Sequence, residues 1–224
     1  MSRSRPVLLL AVVVLLAGCG DGGRESGPSA AGAAVPRAAA RRVVFLGDSL
    51  TAGHNLDRSQ AFPALIQEKV VRAGLPFEIV NAGVSGDTSA GGLQRLDWVL
   101  TGGAELLVLE LGANDGLRGL DLDVTRANLD KLIRECERRK IPVVLAGMRL
   151  PPNYGPDYTA RFRAMYAALA AEHRLPLIPF LLEGVGGVQA ENLPDGIHPN
   201  AEGQKRVAAT VWTTLEPLLR KLAR

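Results

Sequence analysis

The chain has 224 residues, of which 47% are hydrophobic and 22% are charged. This composition is typical of one folded domain with short appendages, and it excludes a disordered or fibrous protein. The 26 Lys and Arg residues nearly balance the 23 Asp and Glu residues, for a net charge of +3, so we expect no nucleic-acid partner. The chain contains two cysteines, Cys19 and Cys136, which are too few for a disulfide framework.

The amino-terminal segment has the pattern of a secretion signal. Arg3 and Arg5 precede an uninterrupted apolar run, Val7–Ala17, which ends just before Gly18-Cys19. A membrane-spanning helix needs about 20 apolar residues, so this run is too short to cross a bilayer. The pattern predicts export and a signal peptide over residues 1–18.

The four residues Leu16-Ala17-Gly18-Cys19 resemble the bacterial lipobox, in which the cysteine is diacylated and becomes the first mature residue. Acyl chains on Cys19 would hold the protein at a membrane surface, because each buried CH₂ contributes about 0.8 kcal/mol. Residues 19–40 have the composition of a flexible linker, and 41–224 that of a folded domain. By similarity to the sorting of enterobacterial lipoproteins, a glycine at position 20 indicates attachment to the outer membrane. The folded domain would then face the periplasm or the exterior. The alternative is an ordinary signal peptide with an incidental cysteine.

From Arg41 onward, short apolar runs alternate with helical patterns. The runs are Val43–Leu46, Phe77–Asn81, Leu106–Leu111, Val143–Ala146 and Leu177–Phe180. Apolar residues between them recur at helical spacing. Alternation of apolar strands with helices indicates a parallel sheet that is covered on both faces. The sequence therefore predicts a three-layer α/β/α sandwich with about five parallel strands, doubly wound and with right-handed crossovers.

Four clusters of polar residues and glycines lie at the ends of these predicted elements. Gly47–Leu50, Asn81–Thr88 and Gly112–Asp115 come directly after the first three strands, and Asp195–Asn200 precedes the last helix. In open parallel sheets, sites form beyond the carboxyl ends of the strands. We therefore expect these clusters to meet at one edge of the sheet.

Ser49, His198 and Asp195 are the candidates for nucleophilic catalysis. A serine becomes a useful nucleophile when a base takes its proton, and the base works best when a carboxylate fixes its tautomer. The three-residue spacing of Asp195 and His198 puts both side chains on one side of a turn. Histidine is suited to exchanging protons near neutral pH.

Three groups near these residues are candidate donors to an oxyanion. The Ser49 N–H lies where a strand gives way to a helix, a turn at Gly86 offers a second backbone N–H, and Asn114 offers a side-chain amide. Asp87 and Asp115 follow two of these residues. They would order the two loops by bonding across the site, or serve in turn formation alone.

The four clusters resemble the four sequence blocks of the GDSL, or SGNH, hydrolases, in the family's order and spacing. Asn81–Thr88, Glu110–Leu117 and Arg149–Tyr154 further resemble the bacterial branch of multifunctional acyl-thioesterases, arylesterases and lysophospholipases. The resemblance covers Val43 to Leu219 and implies the flavodoxin-like fold of that family. Ala113 departs from the pattern, since close relatives often carry a second glycine there.

The resemblance implies Ser49 as nucleophile, His198 as base and Asp195 as its orienting acid. It implies an oxyanion hole made by the N–H groups of Ser49 and Gly86 and by the Asn114 side chain. The substrate would be a small acyl ester or a lipid, and the family needs no metal or cofactor. We expect a monomer.

Candidates for contacts with an acyl group lie on two loops at the same edge. One loop follows the fourth predicted strand and contains Leu150, Pro151 and Tyr154, together with Met148 and Pro152. The other is the segment 116–123, which contains Leu117 and is a candidate flap over the site. Generic loop packing is the alternative for these residues.

For several residues outside the candidate triad, we expect a structural role. We expect Asp48 to cap a helix or bond to backbone, the alternative being a catalytic part beside the nucleophile. We expect His54 to be partly exposed and without a role, the alternatives being a rival base or a substrate contact. His173 lies at a charged helix end and is expected to be solvated, and Cys136 is expected to be a buried hydrophobe. The histidine spacing predicts no metal site.

Two other functions remain open at this point. The same triad would serve a deacetylase of envelope or extracellular polysaccharide, as in other branches of the family. A catalytically idle lipoprotein that binds lipid or a partner is the second alternative, although the intact candidate residues argue against it.

Overall fold

A computed structural model describes residues 41–224, so the predicted signal peptide, Cys19 and the linker lie outside the described residues. Within that range, five strands alternate with seven α-helices. The strands are β1 (Arg41–Gly47), β2 (Phe77–Gly83), β3 (Leu106–Glu110), β4 (Val143–Ala146) and β5 (Leu177–Ile178). The helices are α1 (Ser49–Ala52), α2 (Phe62–Arg72), α3 (Ser89–Val99), α4 (Ala113–Leu117), α5 (Leu122–Arg138), α6 (Pro156–His173) and α7 (Ala201–Leu222). Short 3₁₀ helices span Arg58–Gln60, Pro152–Tyr154 and Gln189–Glu191.

The five strands form one parallel sheet with the order β2-β1-β3-β4-β5. Helix α2 packs against α7, while α5 packs against both α3 and α6. The sheet thus lies between two groups of helices, and the strand order is that of flavodoxin-like folds. The predicted three-layer sandwich with five parallel strands is confirmed. None of the helices in residues 41–224 is long and apolar enough to cross a membrane.

The core is built around the three inner strands. Val43–Leu46, the whole of β3 and the whole of β4 are buried, as expected for strands that are covered on both faces. Phe45 of β1 meets Phe62 of α2 edge to face, with ring centroids 5.5 Å apart. This contact fixes α2 against the strand that leads into the candidate site.

Two strands differ from the predicted apolar runs. Strand β2 is only partly buried, because it lies at the edge of the sheet and helices cover it less completely. Strand β5 ends at Ile178 instead of continuing to Phe180. Pro179 explains this end, since it has no N–H to donate to a neighbouring strand.

The register of the sheet places three of the polar clusters side by side. Gly47 at the end of β1 pairs with Gly83 of β2 on one side and with Glu110 of β3 on the other. A Cβ at Gly47 would overlap the side chain of Thr51, so this position requires glycine for the chain to turn into α1. The carboxyl ends of β1, β2 and β3 therefore form one continuous edge.

Candidate active site

Two hydrogen bonds join the three predicted catalytic side chains at this edge. His198 Nε2 lies 2.9 Å from Ser49 Oγ, and His198 Nδ1 lies 2.8 Å from Asp195 Oδ2. If the imidazole is neutral, Nδ1 donates to the carboxylate and Nε2 accepts from the hydroxyl. This tautomer is the one that lets the imidazole take a proton from serine.

Ser49 is held by the turn from β1 into α1. Asp48 caps the short helix, since its Oδ1 accepts a hydrogen bond of 3.0 Å from the Leu50 N–H. The expectation that Asp48 caps a helix is confirmed. Ser49 itself is 9% exposed, so it is largely shielded from water.

Asp195 and His198 are fastened to each other by a tight turn. Asp195 Oδ1 accepts from the backbone N–H groups of Ile197 and His198 at 2.9 and 3.0 Å, while Oδ2 faces the imidazole. Burial opposes ionisation of this carboxyl, but the two backbone hydrogen bonds and the imidazole outweigh it and lower the pKa of Asp195 to about 2. The carboxylate is therefore charged at any pH at which His198 can act as a base.

Two of the three predicted oxyanion donors are unoccupied. Among residues 41–224, neither the Ser49 N–H nor the Gly86 N–H is donated to a protein acceptor. Gly86 has a φ of +81°, which glycine adopts without strain. The Gly86 carbonyl accepts from Arg118 at 2.8 Å, so the orientation of the loop around Gly86 is fixed from its other side.

The third predicted donor, Asn114, is engaged within the protein. Its Nδ2 donates to Asp48 Oδ2 at 3.0 Å and to the Asp87 carbonyl at 2.9 Å. Both partners are acceptors, so the amide nitrogen must face them. An oxyanion contact from Asn114 therefore requires that one of these two N–H groups be shared or exchanged.

Two buried acids lie beneath the nucleophile turn. Glu110 is fully buried, and its Oε2 accepts from the Asp48 N–H at 3.1 Å and from Thr51 Oγ1 at 2.8 Å, while Oε1 has no partner in the described part of the chain. Burial, and secondarily the neighbouring Asp48, raises the pKa of Glu110 well above its usual range. Burial likewise raises the pKa of Asp48 to about 6. The sequence reasoning did not single out Glu110.

Arg95 of α3 connects the ends of β1 and β2 to the loop that carries Gly86. Its guanidinium donates to the Asp87 carboxylate at 2.7 Å, to the Ala82 carbonyl at 2.7 Å and to the Gly47 carbonyl at 2.9 Å. The Arg95 and Asp87 side chains are 17% and 9% exposed. This residue was also missed from the sequence, because an arginine within a helix gives no sign of which loops it reaches.

Asp87 and Asp115 each form hydrogen bonds to a different loop or helix. Of the two expectations, bonding across the site therefore applies, and turn formation alone does not. Asp115 accepts from the Ser89 N–H at 2.8 Å and from Ser89 Oγ at 2.5 Å, which ties the start of α4 to the start of α3. Asp87 contributes its side chain to Arg95 and its carbonyl to Asn114.

His54 is partly exposed, as expected, and it lies next to the catalytic imidazole. Its ring lies against that of His198, with centroids 4.3 Å apart and planes tilted by 36°. His54 follows Gly53, whose left-handed conformation with a φ of +74° reverses the chain after α1. A glycine directly after a short helix was the signal that could have indicated this reversal.

The expectation that His173 is solvated is wrong. Its side chain is 5% exposed, and its ring nitrogens lie 2.8 Å from an Asp130 oxygen and 2.9 Å from a Glu137 oxygen. Because both partners are carboxylates, the ring bonds to both only as the doubly protonated imidazolium. Burial lowers the pKa of His173, but the two carboxylates outweigh it and raise the pKa overall.

The residues predicted to contact an acyl group differ in exposure. Leu117 and Leu150 are half-buried and Pro151 is exposed, whereas Met148 is 4% exposed and belongs to the core. The Tyr154 hydroxyl donates to the Leu117 carbonyl at 2.8 Å, which joins the loop after β4 to the end of α4. Cys136 is buried as predicted, and burial raises the pKa of its thiol to about 11.

The sheet order and the Ser49, His198 and Asp195 arrangement define a serine hydrolase on a doubly wound α/β fold. Residues 45–206 match the model of the GDSL-like lipase/acylhydrolase family, and the chain belongs to this family. It is a hydrolase of carboxylic esters.

Relatives of known name lie in the same class. The chain is 46% identical over 184 residues to esterase TesA of Pseudomonas aeruginosa, covering 82% of this chain and 92% of the relative. It is 40% identical over 183 residues to thioesterase 1/protease 1/lysophospholipase L1 of Escherichia coli K12, covering 81% and 86%. A crystal structure of TesA matches with a TM-score of 0.77 and 45% identity, over 80% of this chain and 99% of that one.

Proposed function

We propose that this chain hydrolyses aryl esters, acyl thioesters and lysophospholipids through an acyl-enzyme formed on Ser49. The observation that carries the proposal is the continuous hydrogen-bonded path from Asp195 through His198 to Ser49, with distances of 2.8 and 2.9 Å. The names of the relatives, an esterase and a thioesterase with lysophospholipase activity, support these substrate classes.

Acylation begins when Ser49 Oγ attacks the carbonyl carbon of the ester. His198 Nε2 takes the hydroxyl proton as the new C–O bond forms, and the carbonyl oxygen becomes an oxyanion. The N–H groups of Ser49 and Gly86 are the unoccupied donors for this oxygen, and Asn114 adds a third N–H by sharing one that it now donates. The imidazolium then gives its proton to the leaving alcohol or thiol, and the C–O or C–S bond breaks.

Deacylation repeats the same steps with water as the nucleophile. His198 takes a proton from water, the hydroxide adds to the acyl carbon, and the second oxyanion collapses to release the acid and regenerate Ser49. Asp195 keeps its charge throughout, which stabilises the imidazolium in both halves of the reaction.

A labelling experiment and a substrate series test the proposal. A fluorophosphonate should label the wild-type protein at Ser49 and should leave a Ser49→Ala variant unlabelled. With p-nitrophenyl and acyl-thioester substrates, kcat/KM should rise from acetyl to octanoyl chains. An acetyl optimum would instead support the polysaccharide deacetylase, and failure of the probe to label Ser49 would support a catalytically idle protein.

We also propose that the protein is exported and held at a bacterial membrane by acyl chains on Cys19, with 19–40 as the linker to a monomeric catalytic domain. The support comes from the sequence of the amino-terminal segment alone. Mass spectrometry of the mature protein should find a diacylated cysteine at its amino terminus, and an unmodified Cys19 would contradict the anchor. Light scattering should give the molecular mass of a single copy for the domain over 41–224, and a larger mass would contradict the monomer.

A further inference from the structure

The position of His54 against the catalytic imidazole is fixed by the backbone of the nucleophile itself. The Ser49 carbonyl accepts from the N–H groups of both Gly53 and His54, at 3.1 and 3.0 Å. This pair of hydrogen bonds closes α1 and turns the chain back over it. The turn therefore holds the His54 backbone next to Ser49, from where its ring reaches His198.

The His54 ring has little else to bond to. In the region that the structure describes, its one hydrogen-bond contact is a long one, 3.5 Å between Nδ1 and Ser85 Oγ. The ring is half-buried, and the His198 side chain beside it is 19% exposed. A second imidazole with an unsatisfied ring nitrogen thus borders the site and is accessible to small solutes.

His54, His198 and Asp195 can each present a ligand atom such that all three atoms lie within 4.8 Å of one another. A tetrahedral zinc ion with bonds of about 2.0–2.1 Å to imidazole nitrogen needs ligand atoms about 3.3 Å apart. Because the rings lie against each other with their planes tilted by 36°, side-chain rotation has to turn a nitrogen of each ring towards a shared ion. Metal-bound histidines typically donate their other N–H to a carboxylate, and Asp195 already accepts from His198 in this way.

From these observations we infer that the active site contains an inhibitory zinc site, in which the ring nitrogens of His54 and His198 bind one Zn²⁺ and Asp195 orients the second imidazole. This inference concerns regulation of the proposed esterase site and rests on that function for its effect on activity. Zinc would occupy the lone pair of His198 Nε2, which the neutral ring uses to take the Ser49 proton. Hydrolysis stops because the base is no longer available.

A second group of possible ligands is a suitable comparison. Asp130, Glu172 and His173 also bring ligand atoms within 4.8 Å of one another. Both ring nitrogens of His173 are held by carboxylates, however, at 2.8 and 2.9 Å. A metal would have to displace an ion pair there, so this group serves as a control and not as a site.

The activity experiment compares zinc inhibition in three proteins, each measured against its own metal-free rate. Wild type and His173→Gln should be inhibited by Zn²⁺ alike, and EDTA should restore their activity. His54→Phe keeps a ring against His198 but removes both nitrogens. It should need at least about tenfold more Zn²⁺ for half inhibition, because even the loss of a group that merely supports a ligand lowers metal affinity by about 10–100-fold. Mg²⁺, which prefers oxygen ligands, should not inhibit.

A binding experiment separates this inference from the proposed function. In Ser49→Ala, which cannot form an acyl-enzyme, calorimetry should detect Zn²⁺ binding that is weakened at least tenfold in the Ser49→Ala/His54→Phe double variant. If Ser49→Ala binds Zn²⁺ no better than the double variant, the zinc site is refuted whatever the wild-type activity. Equal zinc inhibition of wild type and His54→Phe would also overturn it. If Zn²⁺ binding depends on His54 but the wild-type protein hydrolyses no ester, the site is supported and the proposed function alone is contradicted.

Discussion

His198 Nε2 lies 2.9 Å from Ser49 Oγ although 149 positions separate the two residues in the chain. Ser49 is carried by the end of β1, and His198 by the turn that leads into α7. That turn is anchored by Asn200, whose side chain caps α7 by accepting from the N–H groups of Glu202 and Gly203, each at 3.0 Å. The catalytic contact therefore depends on α7 docking against α2 and the sheet, so local unfolding of α7 should abolish activity before the core unfolds.

Ser49→Ala and His198→Ala should each reduce ester hydrolysis by about four to six orders of magnitude, because nucleophile and base act as one unit. The double variant should be no worse than either single variant. Initial rates with p-nitrophenyl octanoate measure the effect, and circular dichroism checks that the fold is kept. Additive losses in the double variant would contradict a shared mechanism.

Asp195→Asn should lower kcat about ten-thousand-fold, because an amide can donate to His198 Nδ1 and so favour the wrong tautomer. Asp157→Asn, at an exposed carboxylate at the start of α6, is the matched control. Since the pKa of Asp195 is about 2, Asp195 stays ionised throughout the acid limb of the wild-type pH profile. A wild-type rate for Asp195→Asn would mean that another carboxylate orients His198.

Asn114→Ala should lower kcat about 100- to 1000-fold, the usual effect of removing one oxyanion donor, with a smaller change in KM. The amide also ties Asp48 to the Asp87 carbonyl, so thermal unfolding must be measured in parallel. Asn128→Ala, which removes a half-buried amide bonded to Ser89 Oγ, controls for the loss of a hydrogen-bonded amide. A fall in stability with kcat unchanged would assign Asn114 a structural role only.

Glu110→Gln should change how stability depends on pH. Burial raises the pKa of Glu110 well above its usual range, so the folded protein retains a proton that the unfolded chain releases above about pH 4.3. Protonated Glu110 makes its whole contribution to the free energy of unfolding below that pH. This contribution is lost as the pH rises towards the pKa of the folded state. Replacing the acid by the amide removes this dependence, so the free energy of unfolding of the variant should improve relative to wild type between pH 5 and pH 8. Urea unfolding measures this difference, with Glu78→Gln at an exposed position of β2 as the surface control. Parallel curves would mean that Glu110 ionises normally.

His173→Gln should destabilise the protein most at low pH. The raised pKa of His173 means that its stabilising contribution is complete below the unfolded pKa of about 6.5 and is lost as the pH rises through the folded value. Two hydrogen bonds to charged partners predict a loss on the order of 1–3 kcal/mol at pH 6 and a smaller one at pH 9. Lys131→Gln, on the exposed side of α5, should show neither effect. An equal loss at both pH values would indicate a neutral ring in the folded protein.

The sequence was sufficient to predict the sheet and the meeting point of its polar clusters. Parallel strands that are covered on both faces must be apolar throughout, as Val43–Leu46 and Val143–Ala146 are, and their carboxyl ends must share one edge. Ser49, Asp195 and His198 could be chosen because their chemistry is recognisable from residue type and spacing. These are the parts of the molecule that short-range pattern determines.

The contacts that were missed depend on side chains that reach across the fold. His173 is paired with Asp130, 43 positions earlier in the chain, through the packing of α6 on α5, and no local pattern encodes that pairing. The contact between the His54 and His198 rings was missed because it depends on the left-handed turn at Gly53, which directs the chain back over the site. Glu110 ends an otherwise apolar strand, and its carboxyl is explained by the Asp48 N–H and the Thr51 hydroxyl, which come from a part of the chain about 60 positions earlier.

The guanidinium of Arg95 fixes the distances between three segments that surround the site. It touches the backbone behind the nucleophile, the end of the adjacent strand and the loop that carries Gly86, yet it belongs to a helix that provides no candidate catalytic group. Laboratory selection for altered substrate range on this scaffold should therefore find changes along α3, because tilting that helix shifts the nucleophile and oxyanion loops together without altering the triad.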